Sequence, residues 1–273
     1  MKIIFLGTSS GAGKTLMTAM FCRYLKRQNV NVAPFKASNL SLNSFATKDG
    51  KEVGMGQAFQ ALASGIDVTE EMNPILLKPS GKDIQVILNG TLSKRSKSEI
   101  GTEELLREVL KAYDSLSSKY EAIVSEGSGS PAELNLRSKD IANTLFPKER
   151  QIPSVLVGDI DRGGVFAGIY GTWKLMDDES KKRMKGFIIN RFRGDPSILK
   201  SGTDRIEELT GMRFLGTMPL ADLKFPDEDS LSISSGKLHG NNVKEAYLNN
   251  IDELTDIAEK NLDMSELMRI SSA

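Results

Sequence analysis

One stretch of nine residues constrains this chain more than any other. Gly7-Thr8-Ser9-Ser10-Gly11-Ala12-Gly13-Lys14-Thr15 follows the apolar run Lys2-Ile3-Ile4-Phe5-Leu6. Leu16, Ala19, Met20 and Leu25 then recur near helical spacing, which predicts a strand over 2–6 and a helix over 14–28. In a strand–glycine loop–helix unit, backbone N–H groups line one concavity, and the helix N-terminus adds positive potential there. The ending Gly-Lys-Thr makes this the phosphate-loop pattern. The pattern predicts Ser10, Gly11, Ala12 and Gly13 around the phosphates of ATP. Lys14 would reach the β- and γ-phosphates, and the Thr15 hydroxyl would ligate Mg2+. The strict pattern has glycine where Thr8 stands, so the assignment rests on the flanking strand and helix; the plain alternative is a glycine-rich turn with a chance lysine.

The rest of the chain supplies partners for that unit. Apolar runs predict strands over 30–36, 84–88, 122–125, 153–158, 186–190 and 213–218. Periodic stretches predict helices over 54–64, 102–119, 164–176, 197–209 and 251–268. In the second of these, Leu105, Val109 and Leu116 share one face, and Glu103 and Glu104 stand where the helix dipole favours acids. Near-continuous apolar strands separated by helices indicate an α/β fold, a doubly wound, mostly parallel sheet covered on both faces. Ligands of such sheets bind at the carboxyl ends of the strands. Residues 1–225 are assigned to this nucleotide-binding domain. Residues 226–273 are assigned to a linker, polar and serine-rich over 226–240, and a closing helix packed on the same domain.

Composition removes several function classes. Lys plus Arg and Asp plus Glu are both 36, so the basic field of a general nucleic-acid binder is missing. No apolar run approaches the roughly 18 residues of a membrane span, and the opening one is too short for a signal peptide. Cys22 is the only cysteine and His239 the only histidine. An internal disulfide, a His/Cys zinc cluster and chemistry needing two histidines are therefore excluded. The expectation is a cytoplasmic protein that binds neither nucleic acid nor membrane.

The predicted strand ends carry the remaining chemistry. Glu126, after 122–125, stands among small residues and would hold Mg2+ directly or through water. Asp159 and Asp161, followed by Arg162 and two glycines, end the next strand. Asp159 is read as a second metal ligand, and Asp161 as a catalytic residue that meets substrate or orients Arg162; helix-capping acids are the alternative. Asn190 offers a donor and an acceptor to an adenine edge, and Pro219 would shape the base pocket. Lys36 ends the second strand facing the phosphate loop, where it would stabilise a transferring phosphoryl group or bind a carboxylate. The polar run after it, with Asn39, Ser41 and Asn43, would hydrogen-bond a polar substrate.

At this point the chain resembles the ATP-binding half of the cobyric acid synthases. The resemblance covers Lys2 to about Leu231. It is carried by residues 7–15, by 36–47 with Asp49-Gly50, and by Met72-Asn73-Pro74-Ile75-Leu76-Leu77-Lys78-Pro79. Residues 126–137, Asp140-Ile141-Ala142-Asn143, 159–166, 190–195 and 226–231 complete it. The resemblance implies a fold similar to dethiobiotin synthetase. It implies ATP- and Mg2+-dependent amidation of corrin-ring carboxylates through a carboxyl phosphate attacked by ammonia, converting adenosylcobyrinic acid a,c-diamide to adenosylcobyric acid. Lys14, Lys36 and Asp161 would then be catalytic, with Asp49, Lys78, Glu133 and Arg162 joining the substrate residues. Full-length members carry a glutaminase domain with a cysteine nucleophile and a histidine. Cys22 reads as core and His239 as exposed, so ammonia is expected from a separate glutaminase subunit or from solution, unless the chain is truncated. Relatives of this fold are often homodimers. Three other readings stand beside this one: amidation of a related tetrapyrrole, as by the cobyrinic acid a,c-diamide synthases; a dethiobiotin-synthetase-like carboxylase or ligase; and a partner-switching ATPase. Such ATPases carry a second lysine where Ser9 stands, which weakens the last.

Overall fold

Ile3, Ile4, Phe5 and Leu6 are all buried, which requires β1 (Lys2–Gly7) to be covered on both faces. The structure, a computed structural model, describes residues 1–80, 83–221 and 243–273; the stretch 226–240 with His239 and the proposed boundary at 226 lie outside them. From β1 the glycine loop leads into α1 (Lys14–Arg27), which returns to β2 (Val32–Phe35). Three short strands follow, β3 (Ser38–Leu40), β4 (Ser44–Ala46) and β5 (Glu52–Gly54), then α2 (Met55–Ser64). Next come β6 (Ile75–Ser80), β7 (Asp83–Leu88), β8 (Thr91–Leu92), α3 (Thr102–Lys119) and β9 (Ala122–Glu126). A π-helical turn, Ile141–Leu145, runs into the single-turn α4 (Phe146–Glu149). β10 (Ser154–Asp159), α5 (Val165–Leu175), α6 (Asp178–Arg183), β11 (Met184–Phe192), α7 (Lys200–Thr210) and β12 (Arg213–Pro219) continue the alternation. The last helices are α8 (Val243–Asn261) and α9 (Met264–Ser271).

The main sheet is parallel throughout, in the order β12-β11-β10-β1-β9-β2. The chain builds β2 and β9 on one side of β1 and β10 to β12 on the other, so its order reverses at β1. That reversal opens a crevice at the strand carboxyl ends, where the glycine loop lies. One face packs on α3, α5 and α7 and the other on α1, α8 and α9. On the first face Phe35, Tyr113 and Phe146 pack edge-to-face or tilted in three pairs, with centroids 5.3, 5.0 and 4.9 Å apart. Each such pair adds about 0.5–1.5 kcal/mol beyond area burial and here ties α3 to β2.

Two features differ from the sequence expectation. The helix expected over 251–268 is two helices. Asp263 breaks it, its Oδ1 accepting from the Glu266 N–H at 2.9 Å, and its own N–H donates to the Leu215 carbonyl at 2.8 Å. Gly216 has φ +113, and a Cβ there would lie 2.2 Å from the Asn261 carbonyl oxygen, so β12 and this break approach as only glycine allows. Tyr247, Ile251, Leu254 and Ala258 of α8 are buried in the second core with Leu16 and Met20 of α1. The second difference is a small sheet, β3-β6-β7-β8, beside the crevice, and a hairpin β4-β5; only the 84–88 strand is legible from periodicity. Buried Asn73 fastens this region. Its amide nitrogen donates to the Lys36 and Ile75 carbonyls, each at 3.0 Å, and its Oδ1 accepts from the Gly54 N–H at 3.0 Å.

Candidate active site

The carboxyl ends of β1, β9 and β11 and the small sheet enclose a cavity of about 1110 Å³. Ser10, Gly11, Gly13, Lys14 and Thr15 form its floor. Gly13 has φ +109, and a Cβ on it would lie 2.1 Å from Asn190 Nδ2. Buried Asn190, from β11, uses that closeness: its Nδ2 donates to the Ala12 carbonyl at 2.9 Å. The loop is thus pinned from below by the residue expected at the adenine edge, and Asn190 also lines the cavity with Pro219. Ala12 is fully buried and supplies backbone only. Lys14 Nζ donates to the Ser9 and Gly129 carbonyls, each at 2.9 Å, so the β9 loop helps aim it.

Glu126 is the electrostatic centre. It is 1% exposed at the end of β9. Its Oε1 accepts from the Thr15 hydroxyl at 2.8 Å and from Lys36 Nζ at 3.1 Å. Its Oε2 accepts from Gln60 Nε2 at 2.6 Å. A carboxylate this deep needs a paired cation and satisfied oxygens, and Lys36 and Gln60 meet that need. Gln60, on α2, was not singled out from the sequence, because its position in an alanine- and glutamine-rich helix looks like ordinary surface. Asn143 stands in a stretch that carries the resemblance, but the sequence assigns it no role. It clamps the β9 loop, its Oδ1 accepting from the Ser128 N–H at 2.9 Å and its Nδ2 donating to the Ser128 carbonyl at 2.6 Å. Asp140 holds Asn143 in place, and burial pushes the Asp140 carboxyl above its usual range. The chemistry of the Thr15–Glu126 pair suits Mg2+, which takes one or two hard protein oxygens and fills its remaining positions with phosphate and water.

The other expected residues divide. Asn39 and Glu133 line the cavity, and so does Asp161, whose carboxylate pairs with Arg193 at 2.7 Å. Asp159 does not line it; Arg191 takes one carboxylate oxygen at 2.7 Å and the Asp161 N–H takes the other at 2.8 Å. Both carboxylate oxygens are thus engaged by neighbours, Asp161 and Arg191, that themselves line the cavity. Ser41 and Asn43 bond to each other in a turn, Ser41 Oγ accepting from the Asn43 N–H at 3.0 Å, and neither lines the cavity. Asp49 stands exposed on the turn between β4 and β5. Lys78 pairs with Glu52 and donates to Ser44 Oγ at 3.0 Å, and Arg162 is exposed. None of these three lines the cavity: Lys78 is paired with Glu52 of the β4–β5 hairpin, and Asp49 and Arg162 face solvent. Buried Cys22 lies behind the phosphate loop in the core. Burial pushes its thiol up to about 12, against a small opposing effect of a Ser64 hydrogen bond.

Among the described residues no helix is long and apolar enough to cross a membrane. Curated relatives named as cobyric acid synthases share nearly half of the aligned residues. The Methanoregula boonei protein, named probable, is 49% identical over 237 residues, 85% of this chain and 49% of that protein. The Archaeoglobus fulgidus protein, also named probable, is 47% identical over 239 residues, 86% of this chain and 52% of that protein. The Klebsiella pneumoniae (strain 342) protein is 47% identical over 243 residues, 88% of this chain and 48% of that protein. The chain therefore spans about half the length of the curated relatives it matches. Among solved structures, the signal recognition particle 54 kDa protein of Aeropyrum pernix K1 in complex with GDP aligns with a TM-score of 0.48 at 15% identity, covering 94% of this chain and 48% of that one. Residues 3–231, which hold the glycine loop, Glu126 and the whole parallel sheet, match the CobQ/CobB/MinD/ParA nucleotide binding domain, and the chain belongs to that family.

Proposed function

We propose that this chain uses ATP and Mg2+ to activate corrinoid carboxylates for amide formation, the conversion of adenosylcobyrinic acid a,c-diamide to adenosylcobyric acid. The observation that carries this reading is one continuous cavity. It joins a phosphate loop and the Lys36–Glu126 pair to apolar and basic walls, and it exceeds the roughly 300–1,000 Å³ of an ordinary small-ligand site.

A substrate carboxylate oxygen attacks the γ-phosphorus, the bond from phosphorus to the ADP oxygen breaks, and its electron pair leaves with ADP. Lys14, aimed by the Ser9 and Gly129 carbonyls, turns to the β- and γ-phosphates. Lys36 leaves Glu126 for the transferring group, so the buried pair stores a cation for the transition state. Thr15 and Glu126 would hold Mg2+, which supplies charge neutralisation at the phosphates. Ammonia then attacks the acyl carbon, the bond from that carbon to the phosphate oxygen breaks, and phosphate departs. The nitrogen sheds a proton to Asp161 or Glu133, carboxylates that line the cavity. The base would lie by Asn190, Arg191 and Pro219.

The nitrogen source in this reading is ammonia, free or released by a glutaminase that residues 1–273 do not supply. Cys22, buried and with its thiol held protonated, is unsuited to act as the thiolate that glutamine hydrolysis requires. The test is Mg-ATP turnover with cobyrinic acid a,c-diamide, comparing ammonium with glutamine. Corrinoid-dependent turnover and amide product with ammonium are expected, with neither from glutamine alone. ATP turnover indifferent to the corrinoid, with no amide formed, would overturn the reading.

A further inference from the structure

Two lysines that the mechanism does not use line the same cavity. Lys97 lies in the loop after β8, and Lys139 closes the short 3-10 turn Arg137–Lys139. The acids of the first loop are already engaged. Glu99 accepts from the Ser96 N–H at 2.6 Å and Oγ at 2.7 Å, and Glu104 pairs with Arg95. Asp140, next to Lys139, is taken by Asn143. Among the described residues neither Lys97 nor Lys139 makes an ion pair, although Glu133 shares the cavity lining. Burial first, and then the Lys139 ammonium, hold Lys97 below the ordinary lysine range. Two ammonium groups that line one cavity without a carboxylate partner favour an anion between them.

The wall beside them is apolar and open. Leu40, Ile84 and Leu136 line the cavity yet remain 48%, 39% and 51% exposed, and Leu77 and Leu105 stand with them. Such side chains lose water only when a ligand covers them. A nucleoside triphosphate could use the two cations but leaves the leucine wall uncovered, so the wall points to a second, larger ligand.

We infer that Lys97 and Lys139 grip carboxylates that are not reacting, while the leucine wall seats the apolar face of the ring that carries them. The ligand class is a large ring compound with several peripheral carboxylates. This inference rests on the corrinoid reading above, and it assigns the residues that hold the ring in register while one carboxylate reaches the γ-phosphate.

The test compares the full chain with Lys97→Gln/Lys139→Gln and Lys97→Arg/Lys139→Arg. Cobyrinic acid a,c-diamide is titrated by visible absorbance in the presence of Mg2+ and a non-hydrolysable ATP analogue. Nucleotide affinity is measured separately with a fluorescent analogue. Charge-assisted contacts predict about tenfold weaker corrinoid binding per lysine removed, hence about a hundredfold for the glutamine pair. The arginine pair should keep affinity within a few-fold, nucleotide affinity should not change, and added salt should weaken corrinoid binding to the parent chain. Corrinoid binding by the glutamine pair within about twofold of the parent would overturn this inference alone. An equal loss of nucleotide affinity would also overturn it, because the lysines would then serve the phosphates. Failure of the parent chain itself to bind the corrinoid would sink the corrinoid reading and this inference with it.

Discussion

Replacing Lys36 by methionine keeps the side-chain length and removes the cation from a nearly dry pair. Lys36 and Glu126 are 5% and 1% exposed, with Nζ and Oε1 3.1 Å apart. Breaking a buried pair by removing one partner costs about 3–5 kcal/mol, because the other charge stays buried without compensation. Glu126 would keep the Thr15 hydroxyl at 2.8 Å and Gln60 Nε2 at 2.6 Å, so the low end applies and we expect a loss of about 3 kcal/mol. Lys36→Met/Glu126→Gln removes the stranded charge, so it should cost clearly less than the two single changes summed, by about 1–3 kcal/mol. Urea unfolding followed by circular dichroism measures all four corners of this cycle. A Lys36→Met loss below about 1 kcal/mol, with the two changes simply adding, would refute the buried-pair argument.

Three further outcomes are expected. Gly13→Ala forces a Cβ against Asn190 at φ +109 and should cost about 2–3 kcal/mol together with most nucleotide affinity; adding Asn190→Ala should recover part of the stability in the same unfolding assay. Native Cys22 should resist a thiol reagent at mildly alkaline pH and react once the chain unfolds. Its thiol titrates near 12 in the fold against 9.0 when free, so the folded state holds that proton more tightly. That contribution is complete below about pH 9 and declines as pH rises toward 12. Asp252→Asn should cost about 1 kcal/mol at low salt and less at high salt, since Arg23 and Arg27 both reach Asp252 at 2.7 Å and fasten α8 to α1 at a partly exposed site. Hydrogen bonds from Arg23 hold its carboxyl below the usual range, so the stabilisation is present above about pH 4 and fades as pH falls through the lowered value.

The phosphate loop, the parallel strands and the helices α1, α3, α5 and α7 were legible because each is written in contiguous residues: a glycine run between a strand and a helix, or a period of apolar positions. Glu126 and Lys36 were legible for a related reason, since the strand carboxyl ends define where to look. What the sequence could not show was pairing between distant segments. Asp159 is engaged by Arg191, thirty-two residues later on the neighbouring strand, and nothing at position 159 announces that. Lys78 looked free for substrate until the fold set Glu52, on the β4–β5 hairpin, against it. Gln60 reads as an ordinary helix residue and becomes a ligand of Glu126 only when α2 packs beside α1. Lys97 and Lys139 stand forty-two positions apart in the sequence, and only the fold brings both to one cavity.

In the proposed reaction a substrate carboxylate is phosphorylated before nitrogen attacks it. The measurement that reaches it most directly uses cobyrinic acid a,c-diamide with heavy oxygen in its carboxylates, incubated with this chain, Mg-ATP and ammonium, followed by mass analysis of the released phosphate. A carboxyl phosphate intermediate passes one carboxylate oxygen to each phosphate, so the phosphate should carry one heavy oxygen for every amide formed. Amide product accompanied by unlabelled phosphate would contradict the account.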